Sequence, residues 1–470
     1  MIDLSIYAGK TVAVMGLGRS GLATAEALLA GGAEVRAWDD NAAPRDAAAA
    51  AGVPIHDLAA ENWDDVGMLV LSPGIPHTWP KPHPVAATAR DAGAEIVSDI
   101  ALLHRAESQA GYIGVTGTNG KSTTTALIGH MLKRAGRNIE IGGNLGIPAL
   151  ALDVIERPMT YVLELSSYQL ELGEAIPFDV AVLLNLSPDH LDRHGGMAGY
   201  IAAKSRIFEA QRADQTAVVG IDDPHSAKLF DALVAAGHQR VVPISSTGKA
   251  TGGIYVREGT IYDDTEGGDE PLASLDGVDA LPGLHNAQNA SAACAAARAA
   301  GLAADEIAGA IISYPGLPHR QETATTIDGV RYVNDSKATN AEATAKALAC
   351  YDAIYWIAGG QAKEGGIDAV LPYLPRVRRA YLIGEAAGDM ARALDGLVDT
   401  DLCGDLDTAI TRAGADAKSD GENDPVVLLS PACASFDQFD DFEDRGRAFC
   451  RLAAALPGDA RDVRNDGGKG

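Results

Sequence analysis

The sequence predicts an α/β protein of three domains. Short apolar runs end in loops rich in glycine, proline or acids, and they alternate with segments patterned as helices. Two of these runs lead into glycine-rich loops with the character of nucleotide sites. At 470 residues the chain exceeds one ordinary core, and length alone suggests roughly two to four domains.

The first unit opens with an apolar strand, Thr11–Met15. It leads into Gly16-Leu17-Gly18-Arg19-Ser20-Gly21 and an Ala/Leu-rich helix to Ala30. A second strand, Val35–Trp38, ends in Asp39-Asp40. A βαβ unit with G-x-G-x-x-G and an acid after its second strand is a Rossmann-like fingerprint. It fits NAD and several other nucleotides. A further strand, Met68–Leu71, runs into Ser72-Pro73-Gly74-Ile75-Pro76. That loop is expected at the carboxyl edge of the sheet, where open α/β sheets bind ligands.

The second unit carries the most informative stretch. The apolar run Tyr112-Ile113-Gly114-Val115 precedes Gly117-Thr118-Asn119-Gly120-Lys121-Ser122-Thr123, and Thr124–Arg134 follows with an apolar stripe at helical spacing. Strand, glycine loop, lysine and helix start together predict a nucleoside-triphosphate site in a P-loop-type domain, with a plain glycine-rich turn as the alternative. Glycines let backbone N–H groups face phosphate oxygens, and the helix N-terminus adds positive potential. Lys121 can reach the terminal phosphates, and the Ser122 or Thr123 hydroxyl can ligate Mg²⁺. The spacing departs from G-x-x-x-x-G-K-[ST], because Val115 stands where the first glycine belongs. Downstream, Thr160–Leu165 is a strand bearing Glu164 near its end. Val180–Leu184 is another, followed by Asn185-Leu186-Ser187-Pro188-Asp189-His190-Leu191-Asp192. Residues 245–280, rich in Gly, Asp and Thr, are expected to form hairpins or a loop-rich insertion. An alanine-rich helix from about Asn289 to Ala300 follows Leu281-Pro282-Gly283-Leu284-His285-Asn286.

Tyr314-Pro315-Gly316-Leu317-Pro318 reads as an interdomain linker. Beyond it the strands Val330–Val333, Ala353–Ala358, Ala380–Ile383 and Val426–Leu429 alternate with helices, a third α/β domain of dinucleotide-binding-like build. The expected domains are 1–105, 106–316 and 317–470. The polar, glycine-rich tail from Gly458 is expected to end without regular structure.

Composition narrows the function. Lys plus Arg total 38 and Asp plus Glu 64, a net charge of −26. Such a surface repels nucleic acid and anionic lipid, so any polyanionic ligand must meet local basic groups. Five scattered cysteines, Cys294, Cys350, Cys403, Cys433 and Cys450, make no C-x-x-C pair. This argues against a zinc site or disulfide framework and for a reducing compartment. Met1-Ile2-Asp3-Leu4 runs into a strand, so no signal peptide is expected, and no apolar stretch is long enough to span a bilayer. A cytoplasmic protein is expected.

Several residues could carry chemistry. Glu164, at a strand end beyond the phosphate loop, can face phosphates and hold Mg²⁺; an acid facing solvent is the alternative. His190, in the loop after the next strand, is either a metal or ligand contact or an ordinary surface histidine. Lys204, in a helical stretch, reads on its own as a solvated lysine. In Asn334-Asp335-Ser336-Lys337-Ala338-Thr339-Asn340, Asp335 could bind a ribose and Lys337 and Thr339 an anionic substrate, although the run also suits a capped helix start. Lys363 and Ser435 follow other strands of that domain. Three strand-end loops bearing Lys, Thr and Ser suit a small carboxylate ligand.

With these motifs in this order, the chain resembles the Mur ligase family along essentially its whole length. The resemblance rests on Gly16–Gly21, Gly117–Thr123, Leu163-Glu164-Leu165-Ser166-Ser167-Tyr168-Gln169-Leu170, Asp189-His190-Leu191-Asp192, Lys204, Pro282–Asn286 with Asn289, His319-Arg320, Asn334–Asn340 and Ser430–Phe439. It implies an ATP-dependent carboxylate–amine ligase of cytoplasmic peptidoglycan precursor synthesis. The Ser430–Phe439 stretch favours the glutamate-adding branch, and the reaction the resemblance implies is addition of D-glutamate to UDP-N-acetylmuramoyl-L-alanine through an acyl phosphate.

By the same resemblance, Lys121, Glu164, His190 and Lys204 are catalytic, and Gly117–Thr123, Asn286, Arg320 and Asp335 hold ATP. Two Mg²⁺ ions are held by Ser122, Glu164, His190 and Lys204, with Lys204 carbamylated. Arg19, Ser20, Asp39, Asp40, Asn41, Ser72 and Gly74 meet the UDP moiety. Asn144 and His190 meet the rest of that substrate. Lys337, Thr339, Lys363, Ser435, Phe436 and Phe442 meet glutamate. The position of Gln361 is often an aspartate in the family, so no contact is carried over there. A monomer is expected. The alternatives are an NAD-dependent dehydrogenase, suggested by the first fingerprint, another Mur-type ligase that adds a different amino acid or the L-enantiomer, and a non-catalytic nucleotide-dependent scaffold. The dehydrogenase leaves the second loop unexplained.

Overall fold

The computed structural model describes residues 1–144, 146–362 and 366–461. Of the residues expected to act, Lys363 lies outside them, as does the tail beyond Arg461. Three sheets form, each containing apolar runs noted above together with further strands that the sequence reading did not single out.

The first sheet holds β1 (Thr11–Met15), β2 (Glu34–Trp38), β3 (Val66–Leu71) and β4 (Glu95–Val97), in the order β2-β1-β3-β4. All its pairs are parallel. Strand order reverses at β1, so the loops after β1, β2 and β3 share one crevice at the carboxyl edge.

The second sheet holds β5 (Gly111–Thr116), β6 (Asn138–Gly143), β7 (Met159–Glu164), β8 (Val180–Leu183), β9 (Thr216–Gly220), β10 (Arg240–Ser245), β11 (Ile254–Arg257), β12 (Thr260–Asp263) and β13 (Glu270–Ser274). Their order is β13-β12-β11-β10-β9-β8-β5-β7-β6. Pairing is parallel from β6 to β11 and antiparallel over β11–β13. The expected hairpins of 245–280 are this β11–β13 meander. Its polar composition suits a sheet end that covers little core. β5 lies between β8 and β7, so the phosphate loop sits at this sheet's reversal point.

The third sheet holds β14 (Glu322–Ile327), β15 (Val330–Asn334), β16 (Ile354–Gly359), β17 (Val377–Ile383), β18 (Thr400–Gly404), β19 (Val426–Leu429) and β20 (Ala460–Arg461), in the order β18-β17-β16-β19-β15-β14-β20. β14 pairs antiparallel with both its neighbours, and the rest are parallel. β16 and β19 are buried at every residue, as expected of parallel strands covered on both faces.

The chain forms two compact units. One is Met1–Asp276 with Asn286–Ile312, and the other is Gly277–His285 with Ser313–Gly470. The first two sheets share a unit because they share a core. Leu4, Val12, Val14, Leu28 and Leu103 pack in one cluster with Tyr161, Leu163, Phe178 and Leu183. The N-terminal segment completes the join, with the Ile2 N–H donating to Leu150 O at 3.2 Å. The third sheet has separate cores on its two faces, one around Trp356 and one around Phe449.

Candidate active site

In the first unit, the loops after β1, β2 and β3 line a cleft of about 350 Å³. Arg19, Ser20, Asp39, Asp40, Asn41 and Ser72 all face it. Asp39 shapes it: Oδ2 accepts from the Leu17 N–H at 2.8 Å and Oδ1 from the Asn41 N–H at 2.9 Å. Gly21 must be glycine, because a Cβ there would lie 1.8 Å from Gly16 O. Gly74 stands at the rim, where its carbonyl accepts from Arg193 Nη1 at 2.7 Å. Arg193 belongs to the loop region of His190, so the second sheet's edge reaches the first sheet's cleft. Its guanidinium also lies over Tyr168, 4.7 Å from the ring centroid.

The phosphate loop begins at the carboxyl end of β5, and its helix runs Lys121–Arg134. Gly120 ends the loop in the left-handed region at φ 87°, and a Cβ there would meet Asn289 Oδ1 at 2.0 Å. The helix stops in the mirror sense. Lys133 and Arg134 fill its last turn, Gly136 is left-handed, and the Arg137 N–H returns to Leu132 O. Lys121 Nζ donates to Gly117 O at 3.0 Å and Thr118 O at 2.9 Å, so the ammonium lies over its own loop. Ser122 is buried in the helix's first turn. Asn286 and Asn289 are buried nearby, joined at 3.0 Å.

Glu164 ends β7 beside β5, in register with Val115, and is 3% exposed. Asn144 binds it twice. Asn144 N–H donates to Glu164 O at 2.9 Å and Asn144 Nδ2 to Oε1 at 2.6 Å. Glu164 Oε2 is buried with no hydrogen-bond partner. A buried carboxylate oxygen left open is what a cation site requires.

Lys204 is 2% exposed, on the helix Met197–Ser205. Its Nζ donates to Gly117 O at 2.9 Å and Thr116 Oγ1 at 3.3 Å, and it lies 4.9 Å from the Tyr200 ring centroid. Burial, and then the neighbouring Lys121 charge, lower its pKa well below the usual lysine value, opposed by Asp189 and Glu164. The solvated-lysine reading is therefore wrong. Tyr200, one turn earlier on the same face, also reaches the loop, its hydroxyl 3.1 Å from Thr118 Oγ1. His190 is left-handed at φ 51°, its Nε2 3.5 Å from Asp189 Oδ2 and its ring 5.1 Å from Tyr168. This unit thus brings together Lys121, Ser122, Glu164, Lys204, Asn144 and the asparagines, with His190 on the adjoining loop. Among the described residues no three of His, Cys, Asp and Glu cluster around a common cation position. The donors gathered here are instead a hydroxyl, one carboxylate and an imidazole.

The second unit gathers the remaining residues at the carboxyl edge of its sheet. Asp335 is buried. Ser430 Oγ donates to its Oδ2 at 2.8 Å, and the Gln321 N–H to Oδ1 at 3.3 Å. Burial raises its pKa to about 7, against the hydrogen bond from Ser430 and the charge of Arg320. Lys337 Nζ sits 3.7 Å from the Phe442 ring centroid, and the Thr339 N–H donates to Lys337 O at 2.8 Å. Ser435 is buried, whereas Phe436 is 69% exposed. His319, Gln321 and Ala432, all left-handed non-glycine residues, frame this edge.

Sequence reasoning missed Arg445, which is 1% exposed and holds these loops together. It donates from Nε to Ser336 Oγ at 2.9 Å, from Nη2 to Ser336 O at 2.9 Å and Cys433 O at 3.1 Å, and from Nη1 to Ala434 O at 3.2 Å. Burial lowers its pKa to about 10. One arginine in a helix of ordinary amphipathic pattern gives no signal of this role. Tyr200 was findable, four residues before Lys204.

Strand-end loops on three mainly parallel sheets, with a phosphate loop on the middle one, define a multidomain nucleotide-site α/β protein. Three family models cover it in sequence. These are the Mur ligase MurD-like N-terminal domain over residues 10–98, the Mur ligase middle domain over 115–297 and the Mur ligase glutamate ligase domain over 319–433. The chain belongs to the Mur ligase family. It is 51% identical over 461 residues to a UDP-N-acetylmuramoylalanine–D-glutamate ligase of Rhodospirillum rubrum, covering 97% of each chain. It is 48% identical over 463 residues to the ligase of that name from Rhizobium johnstonii, again covering 97% of each. Solved structures share the fold at lower identity. The UDP-N-acetylmuramate–alanine ligase of Thermotoga maritima gives a TM-score of 0.58 at 18% identity, covering 94% of this chain and 98% of that one. The MurF ligase of Thermotoga maritima, in complex with ADP, gives 0.53 at 18%, covering 96% of each. The fingerprint at Gly16–Gly21 thus falls within a Mur ligase domain, not a dehydrogenase. No helix among the described residues is long and apolar enough to cross a membrane.

Proposed function

We propose that this chain is an ATP-dependent ligase that joins D-glutamate to UDP-N-acetylmuramoyl-L-alanine, in cytoplasmic peptidoglycan precursor synthesis. The observation that carries the reading is the cluster Lys121, Glu164 and Lys204 at the reversal point of the second sheet. It stands in a chain about half identical, over its whole length, to ligases of that name.

The UDP moiety lies in the cleft of Arg19, Ser20, Asp39, Asp40, Asn41, Ser72 and Gly74. Asn144 and His190 hold the rest of that substrate. Gly117–Thr123, Asn286, Arg320 and Asp335 hold ATP. Ser122, Glu164 and His190, with a carbamylated Lys204, would hold two Mg²⁺ ions, and these would supply charge neutralisation at the triphosphate. The open Oε2 of Glu164 supports a cation there. Burial lowers the pKa of Lys204, so its free amine forms more readily than an ordinary lysine's, and that amine is a nucleophile toward carbon dioxide. Its nitrogen forms the C–N bond, a proton leaves, and a carboxylate results.

The substrate carboxylate attacks the γ-phosphorus, ADP leaves, and Lys121 stabilises the transferring phosphoryl group. The glutamate amine, placed by Lys337, Thr339, Lys363, Ser435, Phe436 and Phe442, attacks the acyl phosphate. Loss of phosphate and a proton leaves the amide. The division 1–105, 106–316 and 317–470 is the domain assignment that goes with this reading. The three family models, one falling within each of those ranges, support it. We take the working unit to be a monomer.

Phosphate release from ATP should require UDP-N-acetylmuramoyl-L-alanine and D-glutamate together. Equal release with L-glutamate, or release indifferent to the amino acid, would overturn the assignment.

A further inference from the structure

A line of two side-chain amides and one aspartate ends on the phosphate loop. Asp222 lies two residues past the end of β9. Its Oδ1 accepts from Ser245 Oγ at 2.5 Å and Thr247 Oγ1 at 2.9 Å. Its Oδ2 accepts from the Ser246 N–H at 2.9 Å, Ser246 Oγ at 3.0 Å and Gln288 Nε2 at 2.9 Å. Gln288 Oε1 accepts from Asn185 Nδ2 at 2.7 Å. Asn185 then grips Asn119 at both ends. Its Oδ1 accepts from the Asn119 N–H at 2.9 Å, and its Nδ2 donates to Asn119 O at 3.2 Å.

This line has one polarity. A carboxylate only accepts, so Gln288 must turn its NH₂ to Asp222 and its oxygen to Asn185. The Asn119 N–H only donates, which fixes the Asn185 amide in the same sense. Both ends therefore specify the same orientation of both amides. The route is also cleared sterically. Gly220, which ends β9, has no side chain, and a Cβ there would stand 1.9 Å from Leu184 O and 3.5 Å from Gln288 Nε2. The same helix touches the loop a second time, through Asn289 against Gly120.

We infer that Gln288 is a positioning residue for the nucleotide reaction: its carboxamide, oriented by Asp222, sets the phosphate-loop backbone through Asn185. Its role in this reading is exerted through Asn185. Asn185 fixes the peptide planes on either side of Asn119, and so the aim of the N–H groups that follow at Gly120 and Lys121. The inference rests on reading Gly117–Thr123 as the ATP site.

The test compares Gln288→Leu, Gln288→Glu and Gln288→Glu with Asp222→Asn, by steady-state kinetics for each substrate and by calorimetric ATP binding. Losing one oriented bond should raise the KM and Kd for ATP about tenfold, one tenfold step being about 1.4 kcal/mol. The KM values for the other two substrates should stay within about twofold. Gln288→Glu keeps the acceptor toward Asn185 but sets a carboxylate against Asp222. It should be as poor as Gln288→Leu, and adding Asp222→Asn should restore part of the affinity by removing one of the two opposed charges. It also serves if the leucine variant does not fold. ATP parameters within about twofold of the parent in folded variants would overturn the inference, as would an equal shift in all three KM values or no restoration in the double variant. A parent that binds no ATP would overturn this inference and the ligase reading together. A working parent with indifferent variants overturns the inference alone.

Discussion

Asn144 Nδ2 donates to Glu164 Oε1 at 2.6 Å, which turns the carboxylate so that Oε2 is left buried and without a partner. The orphan oxygen is created by the residue beside it. Glu164→Gln keeps the bond to Asn144 and places an NH₂ where Oε2 stood, a donor in a cation position. Turnover should fall by roughly 10²–10³, the scale for losing one preorganised electrostatic group, with an unchanged melting temperature. Magnesium titrations of phosphate release would read it. Parent-like turnover at low Mg²⁺ removes Glu164 from the cation site.

Lys204→Ala should lose turnover, because the carboxylate that the proposed carbamate would supply is gone. Short carboxylic acids added in solution should restore part of it by filling the vacated space. Depleting bicarbonate should slow the parent but not the rescued variant. Full activity in Lys204→Ala would end the carbamate proposal.

Asp335 gives the second unit a pH signature. Its native pKa is about 7 against an ordinary value of 3.8. The native state therefore binds more protons between those pH values, and stability falls as pH rises from about 4 to about 7, levelling above. Asp335→Asn removes the charge while Ser430 Oγ can turn to accept. The variant should melt higher than the parent at pH 8, with the gain shrinking toward pH 4, and should be impaired as an enzyme. A melting difference independent of pH would contradict this.

Arg445→Met should leave three backbone carbonyls and Ser336 Oγ short of a donor. The expected loss is about 2–4 kcal/mol, with a raised KM for glutamate where the variant still folds. Arg445→Lys should rescue little, since an ammonium cannot span Ser336, Cys433 and Ala434 in the guanidinium fork. Denaturant unfolding and glutamate kinetics on both variants would decide it.

What the sequence made legible was local. Gly16–Gly21 and Gly117–Thr123 announce themselves because a phosphate or nucleotide loop needs glycine, lysine and hydroxyl at short spacing. β16 and β19 do so because a strand buried on both faces must be apolar throughout. What stayed hidden depends on separations in the chain. Strand order puts β5 between β7 and β8, and only then does Lys204 fall beneath Gly117, 87 residues away. Asp222 and Gln288, 66 residues apart, look like ordinary polar residues until β9 and the helix Gly283–Ala299 are adjacent. The shared core of the first two sheets was equally invisible, since apolar residues at helix spacing do not say which sheet they cover.

The helix Gly283–Ala299 is buried at every position from Asn286 to Ala297, and most of those residues are alanine. A helix enclosed on all sides by close neighbours has no tolerant face. Any larger side chain at Ala290, Ala292, Ala293 or Ala296, each 0% exposed, must displace packed atoms. In a saturation mutagenesis screen these alanines would score as intolerant as Lys121, although they perform no chemistry. Ranking positions by intolerance would therefore extend the apparent active site falsely to the alanines of this helix. Only screens that separate protein abundance from turnover would tell the alanines from the lysine.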